Sequence, residues 1–193
     1  NGVDTHGFQH LPEKDNPLMY HFLFVGNMDY RPNIDGVRFF VKEVMPILDR
    51  SMSNYAVWIV GINPREEVLA LKSSRIHVTG RVPEVQPYYE NAQVVIVPLY
   101  AGGGTRLKIL EALSLGRPVV STTIGAEGLD LIAGEHLLIA DTAEEFCDAI
   151  ETLLHDKSLR ENLIAHGRER VVASYDWDAI AEKLEKLYIS LTR

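Results

Sequence analysis

The sequence predicts an α/β fold with a doubly wound parallel sheet and a run of helices at its C-terminal end. From His21 onward, short apolar runs alternate with amphipathic stretches of helical length, and after the last run the pattern is helical only. The runs are continuous rather than alternating, which is typical of parallel strands buried on both faces. A sheet of this kind binds its ligands at the carboxyl ends of the strands.

The elements follow from these patterns in chain order. The first twenty residues are polar, contain Pro12 and Pro17 and have no periodicity, so they are predicted to form a linker or extended arm. Asn33 follows Pro32 and is the expected N-cap of the first helix. The predicted strands are 22–25, 56–60, 76–78, 94–97, 118–121 and 137–139, and the predicted helices between them are 33–50, 64–72, 85–91 and 105–115.

The last part of the chain is predicted to be helical. Thr142 and Glu145 have the spacing of a capping box, which indicates a helix beginning there. Two further helices are expected over about 158–173 and 176–191. Cys147 lies on the apolar side of the first of these helices, so it is interpreted as a small core residue.

Composition limits the classes of function. The chain has 193 residues, a formal net charge of −8 and one cysteine. Such an acidic chain is a poor general binder of nucleic acid, because phosphate contacts need a basic surface. One cysteine excludes an internal disulfide framework and a thiolate-rich zinc site. No apolar run approaches the length of a membrane span, and the N-terminus lacks the features of a signal peptide, so a cytoplasmic protein is expected.

A glycine-rich turn follows the predicted strand 94–97. Residues 102–104 are glycines, which allow a ligand to approach the backbone closely, and the helix N-terminus behind them favours an oxyanion such as phosphate. Lys108 and Glu111 lie three residues apart on that helix, with Arg106 in its first turn. They form either an ordinary ion pair at the helix edge or the wall of a pocket. In a pocket, Arg106 and Lys108 would contact phosphates and Glu111 would accept hydrogen bonds from sugar hydroxyls.

Residues 80–121 resemble the donor-binding half of glycosyltransferase family 4, a group of retaining enzymes with the GT-B fold. The matching segments are Gly80-Arg81-Val82, Tyr89-Glu90-Asn91-Ala92, the strand 94–97 with Pro98, and residues 111–120, which read Glu-Ala-Leu-Ser-Leu-Gly-Arg-Pro-Val-Val. The first four residues and Phe8 resemble the hinge of the family, and Tyr175-Asp176-Trp177 resembles its closing segment. The resemblance covers nearly the whole chain.

The resemblance implies a domain organisation. Residues 1–20 would be an interdomain hinge, and residues 21–193 a Rossmann-like domain that binds a nucleotide sugar and forms one half of a GT-B fold. The final helix, about 176–191, would pack toward an N-terminal, acceptor-binding domain that this chain does not contain. Without that domain the chain is expected to bind nucleotide but to be inactive alone.

The resemblance also implies roles for individual residues. Arg81 and Val82 would contact the nucleotide base, and Glu111 would hold the ribose hydroxyls. The loop before the helix would receive the diphosphate and the sugar through Gly103, Gly104, Thr105 and Arg106. Gly26 and Asn27, which follow the first strand, and Arg31 complete the expected donor site together with Lys108.

The sequence departs from the family pattern at two places. The first glutamate of the family's E-x7-E motif is replaced by Gly103, and the family's Gly-Arg after the first strand is Gly26-Asn27 here. Arg31 lies only near the position of a family lysine. The hypothesis is therefore that Arg106 and Lys108 supply the missing positive charge for the diphosphate.

The activity implied is that of a hexosyltransferase in glycan or polysaccharide biosynthesis. A sugar would move from a nucleotide-diphosphate sugar to an acceptor hydroxyl with retention at the anomeric carbon. No cofactor, metal or nucleic acid is expected, and membrane contact is expected only through the other domain. Two alternatives stay open: a non-catalytic module that binds nucleotide sugars, and one half of a GT-B epimerase or phosphorylase.

Two further groups of residues are candidates for a site. His6 and His10 are four residues apart with Asp4 nearby, a metal-ligand spacing on a helix. They lie beside Gly2 and Gly7, where a helix is not expected, so no metal site is predicted. Glu127 lies in a turn after the strand 118–121 and is either near the donor site or simply on the surface.

Overall fold

The computed structural model describes residues 1–11 and 18–191, and it contains a sheet of six parallel strands. All six predicted strands are confirmed, and so is the doubly wound α/β class. Across the sheet the order is β3-β2-β1-β4-β5-β6. The strands are β1 (Tyr20–Val25), β2 (Tyr55–Val60), β3 (Ile76–Val78), β4 (Val94–Val97), β5 (Val119–Ser121) and β6 (Leu138–Ile139).

The order of the strands reverses between β1 and β4. β1 pairs with β2 on one side and with β4 on the other, where Phe22 lies opposite Val94 and Leu23 opposite Val95. The chain therefore crosses from the outer strand β3 back to the centre of the sheet. A crevice opens at such a switch point, beyond the carboxyl ends of the two central strands.

Helices cover both faces of the sheet. The predicted helix 105–115 is observed as α5, and the three C-terminal helices are observed as α7 to α9. The short helix α6 was not predicted. The helices are α1 (Arg31–Phe39), α2 (Met45–Leu48), α3 (Glu66–Leu69), α4 (Gln86–Asn91), α5 (Leu107–Ser114), α6 (Thr123–Ala126), α7 (Ala143–His155), α8 (Lys157–Tyr175) and α9 (Trp177–Leu191).

The first predicted helix differs from the expectation in two ways. It begins at Arg31 with Tyr30 as the N-cap, so the prediction of Asn33 as N-cap is wrong. A π-helical segment, Phe40–Val44, then separates α1 from α2. Met45 donates its backbone N–H to the carbonyl of Phe40, five residues earlier, immediately before Pro46, which has no N–H to donate.

The cap of α7 is confirmed. Thr142 Oγ1 accepts the backbone N–H of Glu145 at 3.2 Å, and Glu145 Oε2 accepts the backbone N–H of Thr142 at 3.0 Å. The helix buries Phe146, Ile150 and Cys147 against the core. The interpretation of Cys147 as a core residue therefore agrees with the structure.

Residues 1–11 lie against the domain. Val3 donates its backbone N–H to Tyr175 O at 2.9 Å, and the Thr5 hydroxyl donates to the Asp176 carboxylate at 2.6 Å. Leu11 donates its backbone N–H to Leu115 O at 3.0 Å. This part of the arm is fixed to the ends of α5 and α8. Pro12 and Pro17 lie outside the described residues, and the hinge function of residues 1–20 stays a prediction.

The last helix, α9, buries none of its described side chains. Leu184, Leu187 and Leu191 are among its exposed apolar residues. The expectation that α9 packs on another domain stays a prediction. No helix in the described ranges 1–11 and 18–191 is long and apolar enough to span a bilayer.

Candidate functional site

An open cleft of about 280 Å³ lies at the carboxyl ends of β1 and β4, at the switch point of the sheet. It brings together predicted residues from the loop after β1, from the glycine-rich loop and from α5. These are Gly26, Asn27, Gly103, Thr105, Arg106, Lys108 and Glu111. The lining also includes residues that the sequence interpretation did not assign to the site: Val25, Tyr30, Asn33, Leu99 and Leu107.

The floor of the cleft requires glycine at two positions. A Cβ atom on Gly26 would lie 2.8 Å from Asn33 Nδ2 and 3.1 Å from Lys108 Nζ. Gly61, which follows β2, has a φ of +148°, and a Cβ atom there would lie 1.7 Å from the carbonyl oxygen of Gly26. The two backbones can approach this closely only because Gly61 has no side chain, whereas the missing side chain of Gly26 leaves room for Asn33 and Lys108.

Lys108 places its ammonium group at this floor. Its Nζ donates to Asn33 Oδ1 at 2.9 Å and lies 4.1 Å from the centre of the Phe24 ring. The pKa of Lys108 is lowered to about 7, mainly by burial and also by the positive charge of Arg106, whereas the charge of Glu111 opposes the shift. A bound anion would favour the charged form, so the side chain is suited to hold phosphate.

Glu111 lies one turn farther along α5. Its Oε2 accepts the phenol hydroxyl of Tyr89 at 3.0 Å. Burial raises the pKa of Glu111, whereas the hydrogen bond from Tyr89 and the charge of Lys108 lower it. Lys108 and Glu111 thus have separate hydrogen-bond partners, Asn33 and Tyr89. The arrangement matches the pocket-wall interpretation better than the simple ion pair.

Arg106 is buried, with 5% of its surface exposed, and its guanidinium contacts the loop. It donates to the carbonyl oxygens of Gly102 at 2.6 Å, Gly103 at 3.0 Å and Ile124 at 3.3 Å. Arg106 therefore fixes the shape of the glycine-rich loop and adds positive charge beside Lys108. The hypothesis that it also contacts phosphate stays a prediction.

The glycine-rich loop uses its glycines in different ways. Gly102 and Gly104 have φ values of +109° and +89°, which favour glycine. A Cβ atom on Gly103 would have no other atom within 4 Å, so the position of the missing family glutamate is open space. Thr105 accepts the side-chain N–H of Asn1 at 2.7 Å, which links the N-terminal arm to this loop.

Some predicted site residues lie elsewhere in the described structure. Arg31 donates to Asp35 at 2.8 Å and lies 3.3 Å from Glu67, so its guanidinium is engaged on the surface of α1 and α3. Arg81 is exposed and Val82 packs against the core. Within the described part of the chain, the cleft lining does not include Arg31, Arg81, Val82 or Gly104. Their assigned contacts stay predictions.

The remaining candidates also have defined places. Glu127 is exposed after α6 and does not line the cleft among the described residues, in line with the surface alternative. His6 lies 3.6 Å from Asp178, whereas the ring of His10 lies against Gly116. Within residues 1–11 and 18–191, no group of three His, Cys, Asp or Glu side chains could hold a metal ion.

The sequence alone does not predict the contacts that Asn33 and Tyr89 make in the cleft. Its position after Pro32 predicts a helix cap for Asn33. Instead the residue is 6% exposed, and its amide lies between the carbonyl oxygen of Asn27 and Lys108 Nζ. The sequence places Tyr89 within a motif but gives it no contact, because its contact with Glu111 depends on how α4 packs against α5. An asparagine seven residues after the strand-end glycine Gly26 is the available signal for Asn33.

The chain is similar in sequence to known proteins. Residues 20–156 match the family described as "Glycosyl transferases group 1". Phosphatidyl-myo-inositol mannosyltransferase of Mycobacterium leprae is 33% identical over 197 residues, which cover 97% of this chain and 52% of the relative. The capsular polysaccharide biosynthesis glycosyltransferase CapM of Staphylococcus aureus is 23% identical over 97% of this chain and 52% of its own length. This chain thus spans about half the length of these relatives.

Solved structures show the same fold. Anabaena Alr3699/HepE, determined in complex with UDP, superposes with a TM-score of 0.79 at 14% identity over 98% of this chain and 56% of its own. The C-terminal domain of a group 1 family glycosyl transferase, LpcC from Francisella tularensis, superposes with a TM-score of 0.71 at 18% identity over 91% of this chain and 100% of that domain. The family match covers most of the chain, and we conclude that this protein belongs to the group 1 glycosyl transferases and has the Rossmann-like fold of the C-terminal half of a GT-B enzyme.

Proposed function

We propose that this chain is the donor-binding half of a retaining hexosyltransferase that uses a nucleotide-diphosphate sugar in glycan biosynthesis. The observation that supports this most directly is the cleft at the switch point of the sheet. There a partly buried lysine, a partly buried carboxylate and a glycine-rich loop lie around one space. A diphosphate needs the first and third of these features, and a sugar hydroxyl needs the second.

In this proposal the diphosphate lies between Lys108 and the glycine-rich loop. The protein has a net charge of −8, so positive potential for a dianionic ligand must be local. Lys108, the charge of Arg106 and the N-terminal N–H groups of α5 supply it. When the bond to the sugar breaks, the same groups stabilise the negative charge that grows on the leaving diphosphate.

Glu111 would hold the ribose. One carboxylate oxygen accepts the hydroxyl of Tyr89 at 3.0 Å, and the carboxylate retains acceptor capacity for sugar hydroxyls. Its place on α5, one turn from Lys108, sets the spacing between the ribose and the phosphates. This is a positioning role, because the carboxylate would orient the donor and take no part in bond breaking.

Proteins with the same fold support a nucleotide-sugar donor. Anabaena Alr3699/HepE was determined with UDP and glucose, and the pneumococcal O-GlcNAc transferase GtfA with UDP and GlcNAc. The relatives in capsular polysaccharide and inositol glycoside synthesis support an acceptor hydroxyl on a glycan or lipid-linked polyol. We extend these properties to this chain as part of the proposal.

The acceptor site would come from a second domain. The chain spans about half the length of its relatives, and the exposed apolar face of α9 is suited to pack against such a domain. The transfer would need no bound metal or cofactor, because Lys108 and the loop supply the charge that a metal supplies elsewhere. Alone, this chain would bind the donor without transferring the sugar.

Calorimetric titration of this chain with UDP, GDP and ADP tests the proposal. We expect one of the three to bind at a single site and the corresponding nucleoside to bind far more weakly, because the phosphates provide the charge. Lys108→Met should weaken this binding. Lys42 is an exposed lysine away from the cleft, so Lys42→Met is the matched control for Lys108→Met. Absence of binding to all three nucleotides at millimolar concentration would contradict the proposal.

A non-catalytic nucleotide-sugar-binding module is the second candidate, and Gly103 favours it. The family carboxylate is absent at this position, and the space where its side chain would begin is open. The two candidates differ in turnover. A protein that contains this chain together with an acceptor-binding domain would release nucleotide diphosphate from the donor if it is a transferase, and would bind the donor unchanged if it is a module.

A further inference from the structure

The side chain of Asn33 joins two distant parts of the cleft. It projects from the first turns of α1 and is almost fully buried, with 6% of the residue exposed. Its Nδ2 donates to the carbonyl oxygen of Asn27 at 2.9 Å, and its Oδ1 accepts from Lys108 Nζ at 2.9 Å. The amide therefore connects the loop after β1 to α5.

The hydrogen bonds fix which way the Asn33 amide points. A backbone carbonyl can only accept, so the NH₂ group must face Asn27 and the oxygen must face the ammonium of Lys108. Gly26 provides the room for this arrangement, because a Cβ atom there would lie 2.8 Å from Asn33 Nδ2 and 3.1 Å from Lys108 Nζ. The contact therefore depends on three parts of the site, which are the loop after β1, α1 and α5.

A second group holds the ammonium from another side. The ring of Phe24, which is fully buried in β1, lies with its centre 4.1 Å from Lys108 Nζ. The negative face of an aromatic ring attracts a cation at this distance. An ammonium has three N–H donors, and the Asn33 oxygen uses one of them, so donors remain for an anion in the cleft.

The charged groups around Lys108 act in opposite directions. Arg106 disfavours the ammonium and Glu111 favours it, while burial disfavours it most strongly. Tyr89 lies 3.4 Å from the main-chain oxygen of Lys108 and carries no charge at neutral pH. The Asn33 side-chain oxygen and the Phe24 ring both attract a cation, so they offset part of the free-energy cost of keeping Lys108 charged.

We propose that Asn33 is a positioning residue that keeps Lys108 protonated and directs its ammonium into the cleft. The identity of the anion there rests on the function proposed above, but the contact between Asn33 and Lys108 does not. Asn33→Leu removes the acceptor at similar size, and Asn33→Asp replaces it with a charged acceptor. These two variants change the electrostatics in opposite directions at one site.

The test is the pH dependence of Lys108 acetylation by a trace of acetic anhydride, followed by mass spectrometry of the 193-residue chain. Only the neutral amine reacts, so the midpoint reports protonation. We expect the midpoint to fall by about one pH unit in Asn33→Leu and to rise by about one unit in Asn33→Asp. Lys42 in the same sample serves as the internal reference and should not move.

A merely structural role for Asn33 gives a different result. Both variants would then lose stability while the Lys108 midpoint stayed within about 0.3 units or moved the same way in both, and either outcome would overturn the proposal. Circular dichroism identifies folded variants, and Asn33→Ser replaces Asn33→Leu if the latter is unfolded, with the same expected direction. Titration with UDP, GDP and ADP is read separately, so failure of all three to bind would contradict the proposed function and leave the acetylation result to decide this inference.

Discussion

Replacing Lys108 by methionine should weaken nucleotide binding and stabilise the fold. Methionine keeps an unbranched side chain of similar length and removes the ammonium. A hydrogen bond to a charged group contributes about 1.5–3 kcal/mol. The loss of the contact with the diphosphate therefore predicts roughly 10- to 100-fold weaker binding of the nucleotide. The matched control, Lys42→Met, should bind as the unchanged protein does.

The gain in stability follows from the lowered pKa of Lys108. A shift from 10.5 to about 7 corresponds to at most about 5 kcal/mol. The cleft is open to solvent and the substitution leaves Asn33 Oδ1 without its donor, so we expect the free energy of unfolding at pH 6 to rise by about 1–3 kcal/mol.

The pH dependence of stability is an independent test of the lowered pKa of Lys108. Because the pKa of Lys108 is lowered in the folded state, the unfolded chain binds more protons between pH 7 and 10.5. Stability should therefore rise with pH across this window, and Lys108→Met should lack this contribution. Urea unfolding at pH 6 and pH 9, together with calorimetric titration, measures both effects. Unchanged nucleotide affinity in the folded Lys108→Met variant would refute the assignment of this lysine to the diphosphate.

Three further substitutions separate the ribose contact from the fold. Glu111→Gln should weaken binding of the ribonucleotide about 10-fold but change the affinity of its 2′,3′-dideoxy analogue little, because only the ribonucleotide offers hydroxyls to a carboxylate. Equal losses of affinity for both ligands would argue against the ribose contact. Tyr89→Phe removes a hydrogen bond that lowers the pKa of Glu111, so the loss of nucleotide binding at acid pH should begin at a higher pH. Calorimetry across pH 4–7 measures this; an unchanged pH dependence would contradict the prediction. Thr142→Ala removes the cap of α7 and should cost about 1 kcal/mol in urea unfolding with nucleotide affinity unchanged; a loss of affinity would show that the two regions are coupled.

The sheet could be predicted because its signal is local. Each strand is buried on both faces, so its residues are continuously apolar, as in β4 (Val94–Val97). The cap of α7 was equally readable, since Thr142 and Glu145 are three residues apart. The π-helical segment Phe40–Val44 could not be predicted, because an amphipathic pattern does not indicate which carbonyl oxygen each backbone N–H contacts.

The candidate site could be predicted only in part, because its polar contacts join distant positions. Lys108 and Glu111 were identified from the loop and helix that contain them. Their partners Asn33 and Tyr89 lie 75 and 22 positions away in the sequence. Which side chains meet there depends on how α1 and α4 pack around α5. For the same reason, the sequence did not reveal that Arg106 holds the carbonyl oxygens of its own loop.

The most direct test of the central claim is a crystal structure of this chain with the nucleoside diphosphate that binds most tightly in solution. The account predicts that the diphosphate lies in the cleft within hydrogen-bond distance of Lys108 Nζ and of N–H groups in the glycine-rich loop. It also predicts that a ribose hydroxyl donates to Glu111. Phosphates bound away from Lys108, or a ribose that makes no contact with Glu111, would contradict it.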